Sequence, residues 1–210
     1  DTSVGKIVAM AFLVEKGDST SADSMRSILM NTEEKAFVRM KACSCLSSLQ
    51  ISVAADDFLM IVANKEEPLA LREACLSFLT VLSSEGGKLA IKNVLQEAEI
   101  APRLVKRAVS CAVVMKDSEV LAERLSEESD SARRADIARG LLQIADARGI
   151  DAVKALLASK PEASVVQEIL DGIAQTGVAG FEELVASSLD SENKGTRLRA
   201  IRAACRLPET

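Results

Sequence analysis

Two stretches one period apart decide the fold: Glu33 to Leu46 reads EEKAFVRMKACSCL, and Glu66 to Leu79 reads EEPLALREACLSFL. In each, an acidic turn leads into an apolar-basic dipeptide, Val38-Arg39 or Leu71-Arg72. Apolar residues then follow the arginine at fixed offsets of 3, 4, 7 and 10. They are Ala42, Cys43, Leu46 and Leu49 in the first stretch and Cys75, Leu76, Leu79 and Leu82 in the second. Such offsets place side chains on one stripe of an α-helix, so each stretch reads as a turn followed by an amphipathic helix.

The same template continues along the chain. Lys6 is followed by Ala9, Met10 and Leu13, Lys106 by Val109 and Val113, and Arg134 by Ile137, Ala138, Leu141 and Ile144. Val166 leads Ile169, Leu170 and Ile173, and Arg197 leads Ala200, Ile201, Ala204 and Leu207, near Pro208. Successive template starts are separated by 33, 33, 34, 28, 32 and 31 residues. A period of this length marks stacked supersecondary units, each too small to bury its own apolar face.

Shorter apolar-periodic segments lie between these helices: Met25 to Met30, Phe58 to Val62, Leu89 to Leu95, Val120 to Leu125, Val153 to Leu157 and Phe181 to Leu189. Each period is therefore a helix pair. Junctions such as Asn31-Thr32-Glu33-Glu34, Ala101-Pro102, Ser129-Asp130-Ser131 and Asp190-Ser191-Glu192 carry residues that accept from free amide groups at a helix start, or that fit its first turn. Gly86-Gly87, Gly149 and the stretch Gly177 to Gly180 are read as chain reversals between helices. No Asn-Gly or Asp-Gly hairpin lies between alternating runs, so strands are not expected.

An acidic or Pro-bearing turn followed by V-R-x-x-A-x-x-x-L about every thirty residues resembles the HEAT repeat family and its armadillo-like relatives. Glu33 to Leu46, Glu66 to Leu79 and Asp190 to Ala204 match best, and the likeness covers nearly the whole chain. It implies an all-α superhelix, or solenoid, of about six helix pairs plus one leading helix, with the second helices lining a concave side. The expected organisation is a single repeat domain over 1–210, with units 1–17 (half), 18–51, 52–85, 86–116, 117–148, 149–177 and 178–210, forming part of a longer solenoid. The resemblance also implies that Arg39, Arg72, Lys106, Arg134 and Arg197 are structural, bonding to acidic turn groups such as Glu33, Glu66 and Asp190. Val166 and Lys106 depart from the pattern.

Composition narrows the chemistry. The 210 residues contain no His, Trp or Tyr, so an imidazole base, a Ser-His or Cys-His nucleophile and a His metal ligand are unavailable. The five phenylalanines, Phe12, Phe37, Phe58, Phe78 and Phe181, sit on or beside apolar stripes and read as core, which leaves no stacking platform for bases. Cys43, Cys45, Cys75, Cys111 and Cys205 contain no CxxC and read as reduced core or near-core thiols, which fits a cytoplasmic chain without excluding a periplasmic or secreted one. The formal net charge is −5, which disfavours nucleic acid as a partner, and the apolar runs fall short of a membrane span.

Neither catalytic, metal nor cofactor residues are expected. Positions that point away from the apolar stripe carry mixed charges, and Lys41, Glu73, Arg107, Arg139, Arg199 and Arg202 are the candidate residues for binding a protein partner. The expected function is a non-catalytic protein-interaction scaffold, not an enzyme. The alternative is a nucleic-acid-binding or enzyme-accessory HEAT-like protein related in outline to lyases or glycosylases, with the Arg197 to Arg206 patch as the local basic surface.

Overall fold

The computed structural model describes residues 2–82, 84–97 and 99–207. Among them are thirteen α-helices and no strand: α1 (Thr2–Glu15), α2 (Ser19–Met30), α3 (Ala36–Ser48), α4 (Ala55–Ala63), α5 (Leu69–Leu82), α6 (Ser84–Gln96), α7 (Pro102–Met115), α8 (Ser118–Glu127), α9 (Ser131–Ile144), α10 (Ala147–Ala158), α11 (Ala163–Thr176), α12 (Glu182–Leu189) and α13 (Lys194–Ala204). The all-α helical-repeat class expected from the sequence is the class observed. The chain divides into two compact units, 1–111 and 112–210, the boundary falling within α7.

In the first unit the odd-numbered helices neighbour one another, α1 on α3 and α3 on α5, while α2 lies on α4 and α4 on α6. The template explains which side chains go inside. Ala42, Cys43 and Leu46 of α3 and Cys75, Leu76 and Leu79 of α5 are all fully buried. At the tight layer between these helices the Cys43 and Cys75 sulfurs are 3.5 Å apart. Ala and Cys suit such a layer because small side chains let helices approach closely while still removing apolar surface from water.

In the second unit α9 packs against α8, α10 and α11, and α13 against α11 and α12. Helix starts are fixed by short polar caps: Asp117, Asp130, Asp146 and Asn193 each accept from a backbone amide three residues on. Gly172 of α11 shows how close the approach is, since a Cβ there would lie 2.7 Å from Leu142 Cδ1 of α9.

Several expectations are corrected. Gly86-Gly87 and Gly149 do not reverse the chain between helices; they lie inside the first turns of α6 and α10, where Asp146 accepts from the Gly149 amide at 2.7 Å. In α1 the buried residue is Ile7, whereas Ala9 and Leu13 of the template are exposed, because α1 packs on α2 and α3 through a stripe shifted by one position. That shift also turns Phe12 outward, where Lys16 lies over its ring, and Phe37 is exposed near Lys35. In α13, Ile201 and Ala204 are exposed, while Ala200 and Ala203 are buried. Pro208 lies outside the described residues.

Gly177 does reverse the chain as read. It ends α11 at φ +67°, and a Cβ would stand 2.9 Å from the Arg206 carbonyl oxygen. A side chain here meets both a left-handed backbone and an immovable main-chain neighbour. Gly177→Ala is expected to cost about 1–3 kcal/mol in urea denaturation followed by helical circular dichroism. An unchanged midpoint would show that the α11 terminus and Arg206 do not hold this contact.

Candidate functional site

The arginine at the template's first position is buried in the first unit and makes two kinds of bond. Arg39 Nε donates to Leu29 O at 2.7 Å, in the last turn of α2, and its Nη groups fork onto both Glu67 oxygens at 2.6 and 2.7 Å. Arg72 repeats this, donating from Nε to Val62 O at 2.9 Å and from Nη2 to Glu97. Each guanidinium therefore caps the helix before it and pairs with an acid in a later turn. The expected partners Glu33 and Glu66 are corrected to Glu67 and Glu97, and Arg197 donates to the Ser191 and Glu192 carbonyls rather than to the Asp190 side chain. The geometric reason is reach: the arginine side chain extends back over the preceding helix end and onward to the next turn, while its own turn supplies Asn31 and Asn64, which accept from the Glu33 and Glu66 amides.

The six candidate partner-binding residues separate into two groups. Glu73 is buried rather than solvated, its Oε1 being 2.8 Å from Arg103 Nε in an ion pair whose N–H is not aimed at it. Arg139 bridges Asp136 at 3.2 Å and Glu168 at 3.1 Å, and Arg199 meets Asp171 at 2.7 Å. These three side chains join neighbouring odd-numbered helices. Lys41, Arg107 and Arg202 are exposed and make no ion pair among the described residues.

Arg202 borders an open concavity of about 600 Å³ lined also by Asp171, Ala174, Gln175, Ile201, Cys205 and Arg206. Arg206 is exposed and has no ion pair among the described residues. Cys205, read as a core or near-core thiol, is exposed here, and Cys45 is half-buried; Cys43, Cys75 and Cys111 are buried as read. The contact with Cys43, together with burial, pushes the Cys75 thiol up from its ordinary value, and burial does the same to Cys111 despite the nearby Arg107 charge. Both are kept as inert thiols, since nucleophilic reactivity needs the thiolate. Among the described residues no group of three His, Cys, Asp or Glu is placed to hold a metal ion, and no helix is long and apolar enough to cross a membrane.

Geometry thus defines a helical-repeat protein with ion-paired helix faces and a cationic concavity in its second unit. No family model and no curated protein matches the chain. It is similar to a solved structure of human deoxyhypusine hydroxylase in complex with glycerol, at 14% sequence identity and a TM-score of 0.47, over 98% of this chain and 80% of that one.

The expectation of a non-catalytic scaffold, and of no enzyme, is withdrawn: a solved structure similar to the chain is named as a hydroxylase, so a helical-repeat fold does not by itself exclude catalysis. The reason is also chemical. Missing His, Trp and Tyr remove imidazole mechanisms and aromatic platforms, yet Asp, Glu, Cys, Lys and Arg remain, so composition excludes particular chemistries and not catalysis as a class. The phenylalanine argument weakens likewise, since Phe12 and Phe37 present exposed rings.

Proposed function

We propose that the chain is an enzyme-accessory HEAT-like protein whose second unit holds an acidic substrate group. The observation that supports this is the distribution of free charge. Arg139 and Arg199 are neutralised by Glu168 and Asp171, whereas Arg202 and Arg206, at the rim of one concavity of about 600 Å³, have no ion pair among the described residues. That size is typical of sites for small ligands or for a few side chains of a bound segment. Planar guanidinium groups match carboxylate geometry, and Ala174 and Ile201 add apolar surface beside them. Of the expected binding residues, Arg202 is the one retained for this site, with Arg206 added.

The test is fluorescence anisotropy with a labelled hexaglutamate peptide at low salt. Arg202→Glu together with Arg206→Glu is expected to weaken binding at least tenfold, and added salt to weaken binding to the unaltered protein steeply. Equal affinity of the two proteins for the peptide would remove the proposal.

A further inference from the structure

The arginine at the start of α9 breaks the pattern set by Arg39 and Arg72. Those two each place Nε on a carbonyl of the preceding helix and Nη on a carboxylate. Arg134 occupies the same template position and has neither. Its Nε is buried without a hydrogen-bond partner. Its Nη2 donates to Ser159 Oγ at 3.2 Å, and that hydroxyl donates onward to Leu156 O at 2.6 Å. Ser159 stands 25 residues ahead, the same separation as Glu97 from Arg72, so a neutral hydroxyl occupies the place of a carboxylate. Glu162, the neighbouring acid, is exposed and not paired with Arg134. The positive charge is left without a counter-charge among the described residues.

Arg134 lines a pocket of about 210 Å³ between α8, α9 and α10, within the second unit. The other lining residues are Ala122, Leu125, Ala152, Ala155, Leu156 and the hydroxyl-bearing Ser126 and Ser159. At roughly 30 Å³ for a water-sized group, the space takes about six or seven non-hydrogen atoms. Most of the lining is small and apolar, and the one charged group is the Arg134 guanidinium, whose Nε is a buried donor without a partner among the described residues and whose Nη2 is held by a neutral hydroxyl. Such a donor gains from an acceptor more than a fully hydrated one does, because its desolvation has already been suffered in the empty state.

We propose that this pocket binds a short-chain carboxylate, whose head takes the place of the acid that Glu67 and Glu97 supply in the first unit and whose aliphatic tail lies against Ala122, Ala152 and Ala155. A monoanion fits the charge: one guanidinium and two hydroxyls line the pocket, with no second cation to balance a phosphate dianion. The alanine wall provides room and apolar contact that inorganic phosphate has no means to use. The site shares no residue with the concavity at Arg202 and Arg206, so each stands or falls separately.

Isothermal titration of the whole chain with butyrate, butyramide and inorganic phosphate tests this. Butyrate is expected to bind saturably in the millimolar range, at least tenfold more tightly than butyramide and than phosphate. Arg134→Gln should abolish the preference for butyrate over butyramide. Ala155→Leu keeps the guanidinium and fills the tail space, and it should weaken butyrate at least tenfold while circular dichroism remains unchanged. Equal affinity for butyrate and butyramide, tighter binding of phosphate, unchanged butyrate affinity in the Ala155→Leu protein, or no butyrate binding at millimolar concentration would each overturn the proposal.

Discussion

Arg39→Met is expected to lower the unfolding free energy by about 3–5 kcal/mol, the largest effect foreseen for a single change in this chain. The Arg39 and Glu67 side chains are 3% and 7% exposed, so removing the guanidinium strands a carboxylate away from water. It also leaves Leu29 O, at the end of α2, without its donor. A buried pair owes much of its apparent strength to this penalty and not to net attraction, because two ions taken from water begin with a large desolvation cost. The double change Arg39→Met with Glu67→Leu should therefore recover most of the loss. Urea denaturation of the two single variants and the double variant, with hydrogen exchange in α3 and α5, measures the coupling. Additive effects would show that the two side chains do not act as a pair.

Leu79→Ala and Leu141→Ala are each expected to cost about 2–5 kcal/mol. Both leucines are fully buried at the same template offset, one in each unit. The cost combines lost burial with a cavity that helices held by several neighbours cannot readily close. Val81→Ala, whose side chain is 67% exposed on the same α5 helix, serves as the control and should change stability little. Should Leu79→Ala or Leu141→Ala prove as mild as the control in chemical denaturation, the template would not mark the core.

The period and the helix type were legible because each helix carries its own 3–4 spacing. What surrounds a helix was less legible. The template phased α1 by analogy with α3 and α5, but the stripe that goes inside is chosen by contacts with α2 and α3, and so Ile7 is buried while Leu13 and Phe12 are not. The charges were misread for a related reason. Glu73 with Arg103, Arg139 with Glu168 and Asp171 with Arg199 are opposite charges about one repeat apart, a non-local signal missed by reading Glu73, Arg139 and Arg199 each only as partner-binding positions off the apolar stripe. Scanning for opposite charges at the repeat spacing would have found all three. The lone condition of Arg134 was hidden too, since the template records the arginine but says nothing of the serine that faces it.

The bond from Arg39 to Glu67 spans 28 residues of chain, and that from Arg72 to Glu97 spans 25. Each interval is closed at both ends by side chains that have no slack, so the number of residues inside it is metered. A one-residue insertion in the helices between would rotate everything beyond it by about 100° and carry the acid off its arginine. The two intervals themselves differ by three residues, so a change of length inside one is tolerated only where turns and helix ends set the acid back on its arginine.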